Sequence, residues 1–115
     1  MLPAARRLTD GDLFRDTTRQ GRRHGTPRLV VHAWDGGTTE GPLVGFVVSK
    51  AVGNAVVRNR VKRRLRHLTR ERLSMLPGSV VVVVRALPAS ADADCAQLAA
   101  DLDRCLERWR EAVMA

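Results

Sequence analysis

"SKAVGNAVVRNRVKRRLRHLTR", residues 49–70, decides how this chain is read. Between Arg58 and Arg66 six of the nine side chains are Arg or Lys, yet Val57, Val61, Leu65 and Leu68 recur through the same run. A disordered basic tail has no use for that period. At 3.6 residues per turn the four apolar residues fall on one side of a helix, and Asn59, Lys62, Arg63, Arg66 and Arg70 fall on the other, flanked by Arg58 and Arg60. The stripe predicts a helix anchored on a sheet, with its opposite face a fixed array of cations. Arg72 points near the stripe and has to snorkel. Glu71 is the one acidic partner inside this stretch, so the array is not a salt-bridged, solvated face. Arginine dominates it, and the planar guanidinium fork suits bidentate phosphate binding better than an ammonium does.

The start of the helix adds a second candidate. Asn54 fits an N-cap, Gly53 permits close backbone approach, and Ser49 and Lys50 stand where the preceding strand ends. Backbone N–H groups, a hydroxyl and an ammonium converging there make a phosphate pocket. A merely capped helix with a turn glycine explains the same spacing equally well.

Composition agrees with a polyanionic partner. The 115 residues suit a single domain, 1–115, and a chain of this size buries roughly two-thirds of the surface its unfolded form exposes. Apolar residues make up 44%, which belongs to a globular protein. With 20 Lys+Arg against 12 Asp+Glu, the net charge is +8, an excess that repels itself unless an anion neutralises it. Membrane is the weaker choice, because no segment approaches the ~20 apolar residues of a spanning helix. "MLPAARRLTDGD" lacks the apolar core of a signal peptide, so a cytoplasmic protein is expected. Cys95 and Cys105 lie ten apart in one helical pattern, too far to bridge each other, and no CxxC or HxxxH spacing accompanies His24, His32 and His67. Two reduced thiols and no protein-bound metal are expected.

Around the basic helix the other elements fall into place. "LTDGDLFRDTTRQG" predicts a short first helix with Thr9 and Asp12 at capping-box spacing and Gly21 at its stop. Residues 28–34 and 43–49 read as strands, joined by a polar, Gly-rich, hairpin-like "DGGTTEGP". Pro77-Gly78 closes the basic helix, and residues 79–85, apolar on both faces, predict a central strand. Leu98, Leu102, Leu106, Trp109 and Val113 form the stripe of a last helix, with Trp109 as core. The order helix, strand, strand, helix, strand, helix predicts an α+β sandwich of sheet and helices. A DNA-reading helix would want a second helix packed just before it, and here a strand precedes it. A base-stacking sheet would want more aromatics than Phe14, Trp34 and Phe46. The residues alone therefore predict a binder of structured RNA that reads shape and phosphate, with no DNA partner.

The run "VGFVVSKAVGNAVVRNRVKRRLR", residues 44–66, resembles the signature of the bacterial ribonuclease P protein family: V-G, two hydrophobics, V-S-K-K, then G-N-A-V, then R-N-R-hydrophobic-K-R. The resemblance extends from Arg7-Leu8 and Phe14 to the terminal helix. It implies a mixed sheet of about four strands packed with three helices, with a left-handed βαβ crossover around the basic helix. It implies a subunit of the ribonucleoprotein endonuclease that removes the 5′ leader of precursor tRNA. The catalyst is then the RNA, using bound magnesium, and the protein is a cofactor that binds no cofactor of its own. Carried over by position, Arg58, Asn59, Arg60, Lys62, Arg63 and Arg66 face the catalytic RNA. Phe14, Val30, His32, Ser49 and Lys50 line the leader cleft between sheet and first helix. A monomeric free protein is expected. The chain departs from the pattern twice: Ala51 replaces the second Lys of S-K-K, and His32 stands where an aromatic is common, so stacking there becomes weaker or pH-sensitive.

Bland readings compete with several of these roles. Phe14 on an amphipathic helix reads as core without the resemblance, and His32, alternating with Val31 and Ala33, reads as facing water. Arg22, Arg23 and Arg28 read as a solvated loop slightly better than as a phosphate contact. Two rival functions are weighed. A protein nuclease needs converging carboxylates or a His and acid pair, whereas the acids here scatter over Asp10, Asp12 and Asp16, Asp35 and Glu40, and the C-terminal region. A ribosomal-type structural RNA-binding protein shares the charge but not the S-K-x-x-G-N-A-V-x-R-N-R run.

Overall fold

The five valines at 80–84 have no polar side to turn to water, and they occupy an interior strand. The computed structural model describes residues 2–35 and 41–114, the side chain of Met114 excepted. In it β1 (Arg22–Gly25), β2 (Leu29–Asp35), β3 (Leu43–Val48) and β4 (Val80–Ala86) form one sheet in the order β1-β2-β4-β3. β4 is antiparallel to β2 and parallel to β3, and β1 pairs antiparallel with β2. Helices α1 (Gly11–Gln20), α2 (Ala55–Arg72) and α3 (Cys95–Met114) complete the α+β fold, with α2 as the crossover from β3 to the adjacent parallel β4.

Alternation along the strands splits the core in two. Leu29, Val31, Ala33, Val44, Val80, Val82 and Val84 meet Val61, Leu65 and Leu68 of α2 and Leu98, Leu102, Leu106 and Trp109 of α3 in the larger cluster. On the other face Val81 and Val83 pack with Leu8, Leu13, Phe14, Leu43 and Val47. The apolar stripe of α2 thus buries as its period requires, while Val56 at its start is 74% exposed. Val113, expected on the stripe of α3, is 45% exposed, beside a hollow lined by Met75, Leu76, Pro77 and Trp109.

Three expectations need correction. The segment between β2 and β3 is not a hairpin, because β4 lies between those strands; residues 36–40 of that segment fall outside the described residues. Asp10, not Thr9, caps α1, its Oδ1 accepting the N–H groups of Asp12 and Leu13. Arg22 and Arg23 belong to β1, the short fourth strand, rather than to a loop. Arg28 ends up in an ion pair with Asp101 of α3 at 3.2 Å.

The outer edge of β3 is covered by the N-terminal segment. Leu8 donates its N–H to the Val44 carbonyl, Arg7 bridges to Val44 in parallel, and Leu2 and Leu8 plug opposite faces. Covering an edge in this way removes a template for unwanted strand pairing.

Candidate nucleic-acid interface

Helix α2 starts where the sequence places it. Asn54 Oδ1 accepts the Val57 N–H, and Gly53 sits at φ +157°, where a Cβ would lie 2.9 Å from Val57 Cγ1. The glycine is required by that approach. The N–H groups of Val52 and Gly53 bond to the carbonyls of Ser49 and Lys50, so the turn consumes donors that a phosphate would otherwise take. By helix geometry the N–H groups of Ala55 and Val56 keep no intrahelical partner. Ser49 and Lys50 are exposed beside them.

Along the outer face of α2, Asn59 and Arg63 are exposed and Arg58, Lys62 and Arg66 half-buried. Among the described residues Arg58, Lys62, Arg63, Arg66 and Arg70 make no ion pair; the one acid of the helix, Glu71, is taken by His67 at 2.7 Å. A groove of about 650 Å³ runs along this face, lined by Asn59, Lys62, Arg63 and Arg66 together with His67 and Cys95. The thiols of Cys95, exposed, and Cys105, buried, are both free.

Other arginines of α2 turn inward. Arg60 donates to the Ala91 carbonyl at 3.0 Å and Arg64 to the Ala93 carbonyl at 2.8 Å, tying the helix to the 3₁₀ turn Pro88–Asp92 and the entry to α3. Arg72 clasps Asp103 through Nε at 2.5 Å, a bond that holds its guanidinium charged above the ordinary range, and donates to the Leu68 carbonyl. It snorkels as expected, but to a partner on α3. The sequence carries no mark separating Arg60 and Arg64 from the free arginines, because their partners are main-chain carbonyls far along the chain.

The leader-cleft residues split between floor and wall. On the sheet face under α1, cross-strand rows run Arg23–His32–Val83–Gly45 and Gly25–Val30–Arg85–Val47. Val30 and His32 are buried floor residues, so His32 does not simply face water. Phe14 packs from α1 onto this face, half-buried, with its Cε2 2.7 Å from where a Gly45 Cβ would stand. It is therefore partly core, as the bland reading held, while retaining an open side. Ser49 and Lys50 stand at the end of β3, and Arg23, read from sequence as solvated loop, and Arg85, which the sequence reading left out, are exposed on the same face. Strand alternation from Val83 was the signal that could have found Arg85.

Burial, then Arg23, then Arg85 lower the pKa of His32, and burial with Arg108 and Arg22 lowers that of His24. His32 is accordingly neutral at pH 7, and the cleft does not switch near neutrality. In acid the unfolded chain takes up these protons more readily than the folded one, so stability is full above the unfolded value of about 6.5 and falls as pH drops through it. A denaturant midpoint lower at pH 5.5 than at pH 7.5 is expected, and His32→Phe should reduce that difference. A pH dependence identical in the variant would mean that His32 titrates normally.

Basic helix, apolar cleft and α+β frame define an RNA-binding protein of the α+β sandwich class. Residues 2–110 match the family model Ribonuclease P. The chain is 61% identical over 110 residues to the ribonuclease P protein component of a Nocardioides species, covering 94% of each, and 55% identical over 116 residues to that of Streptomyces griseus, again covering 94% of each. Its fold is that of the Staphylococcus aureus RNase P protein, with a TM-score of 0.81 at 24% identity over 89% of this chain and 93% of the other. The Thermotoga maritima RNase P protein superposes with a TM-score of 0.74 at 22% identity, covering 85% and 92%. The chain belongs to the ribonuclease P protein family, the protein subunits of the endoribonuclease that matures the 5′ ends of tRNA.

Proposed function

We propose that this chain holds two RNAs together in ribonuclease P. Arg58, Asn59, Arg60, Lys62, Arg63 and Arg66 contact the catalytic RNA, with one nitrogen of Arg60 already committed to Ala91. Phe14, Val30, His32, Ser49 and Lys50 receive the 5′ leader of precursor tRNA, and Arg23 and Arg85 add charge beside that path. The reaction is carried by the RNA and its magnesium ions, with no protein side chain as catalyst. The free protein is a cytoplasmic monomer; among the described residues no helix is long and apolar enough to cross a membrane.

The observation that carries this reading is the row of cations on α2 that make no ion pair among the described residues, held rigid by a buried stripe on its opposite side. Unpaired cations on an ordered helix repel one another and are stabilised by a bound polyanion. Co-purification tests the partner: a large non-ribosomal RNA that this protein enables to cut precursor tRNA supports the reading, and recovery only with ribosomal RNA refutes it.

The leader cleft has its own test. Phe14→Leu, which keeps apolar bulk while removing the ring, should weaken holoenzyme binding to precursor tRNA about tenfold, since base–aromatic stacking is worth about 1–3 kcal/mol; Lys50→Ala should weaken it through a lost phosphate contact, and both should leave mature tRNA nearly unaffected. Equal losses for both tRNAs would remove the leader from this cleft.

A further inference from the structure

The chain has two phenylalanines, Phe14 and Phe46, and both line one small cavity at the covered edge of β3. They come from opposite faces of the sheet: Phe14 packs with the cluster under α1, and Phe46 with the cluster under α2. Leu2, Leu8, Val44 and Gly45 supply the rest of the apolar wall, and Arg7, Lys62 and Arg66 the charged part. The volume is about 200 Å³. At ~30 Å³ per water molecule this is room for several waters, enough for one flat ring and too little for two stacked ones.

Among the described residues the three cations make no ion pair. Arg7 donates its Nε to the Leu2 carbonyl, which fixes the side chain, and among the described residues its terminal nitrogens make no further hydrogen bond. Lys62 and Arg66, one helical turn apart, repel each other. Cations gathered beside an apolar wall in one cavity call for a ligand with an apolar plane and an attached anion. A nucleotide has both, and an aromatic wall with a cationic rim is how single-stranded bases are gripped without regard to sequence.

We propose that this cavity binds one unstacked nucleotide of an RNA strand, the base against Phe14 and Phe46 and the phosphate against Arg7, Lys62 and Arg66. The site rests on the reading of the chain as an RNA-binding subunit. It joins the face of α2 to the leader cleft, so the nucleotide comes either from the catalytic RNA or from the leader.

The test begins with the free full-length protein and uridine 5′-monophosphate. Saturable amide shifts at Leu8, Gly45 and Phe46 are expected, with uridine and ribose 5-phosphate each binding more weakly. Phe46→Leu should weaken nucleotide binding about tenfold, in line with the loss of one stacking partner. Lys62→Gln should weaken the nucleotide and leave uridine unchanged. In the assembled complex, a Phe46→Leu loss in affinity for the catalytic RNA assigns the nucleotide to that RNA. A loss confined to precursor tRNA assigns it to the leader. Absence of saturable shifts around the cavity overturns the proposal, as does a Phe46→Leu protein that binds the nucleotide, the catalytic RNA and precursor tRNA like the wild type. Wild-type affinity for the catalytic RNA is measured separately, so a failed cavity and a failed subunit assignment give different results.

Discussion

Reversing the charge of Lys62, Arg63 and Arg66 together is expected to lower affinity for the catalytic RNA by ~100-fold or more while leaving the fold intact. A hydrogen bond to a charged group contributes about 1.5–3 kcal/mol, so even ~1 kcal/mol per lost contact gives two decades over three contacts. The fold survives because these side chains make no internal ion pair among the described residues, and Val61, Leu65 and Leu68 on the opposite stripe are untouched. Positions 62 and 66 still repel each other after reversal, but each then faces an opposite charge one turn away, Arg58 and Arg70, so the melting temperature should stay unchanged or rise slightly. Salt dependence separates this from a nonspecific effect. Each phosphate contact contributes about 0.9 to the slope of log affinity against log salt, so the variant's slope should be shallower by nearly 3. An unchanged slope in the triple variant would remove the outer face of α2 from the interface.

How much of this interface can be read from sequence depends on how its residues are encoded. The period of Val57, Val61, Leu65 and Leu68 states which side of α2 is buried, and the cations follow from the complement. Thr69, also buried on α2, escapes that reading because a threonine carries no apolar signal. β1 is four residues long and reads Arg-Arg-His-Gly, with no alternation to detect. It exists because β2 has an open edge, and its charge suits a strand that must not pair further.

The hairpin expectation failed for a related reason. A Gly-rich connection says that the chain turns, not that its flanking strands become neighbours. The valines at 80–84 already demanded a place between two strands, and inserting β4 between β2 and β3 meets that demand. The same insertion sets His32 opposite Val83 and Arg85 opposite Val30 and Val47, and so builds the cleft floor. The contact of Arg60 with Ala91 and the placing of Phe14 and Phe46 around one cavity depend on that three-dimensional order and have no local signature.

The acids of this chain decide where the chemistry can reside. Asp10 and Asp94 cap helices, Asp12 pairs with Arg15, Glu71 with His67, Asp101 with Arg28 and Asp103 with Arg72. Each of these six has a structural task, and among the described residues no three or more His, Cys, Asp or Glu side chains gather as a metal site would need. Activating water against a phosphodiester takes such a gathering, or a positioned base. What the protein can supply is neutralisation: bound cations replace condensed counterions when two RNAs approach, and the replaced cost is greatest when magnesium is scarce. The protein alone should therefore leave precursor tRNA intact, and the RNA alone should cleave it only at high magnesium. Adding the protein should restore cleavage at low magnesium, raising the rate at limiting substrate by ~100-fold if it replaces only two or three phosphate-bound ions. Alanine at any single Asp or Glu should lower that restored rate only slightly once folding is verified. Asp101 needs that check most, because its loss strands the half-buried Arg28. One acidic variant that folds, binds both RNAs and no longer supports cleavage would place the active site in the protein.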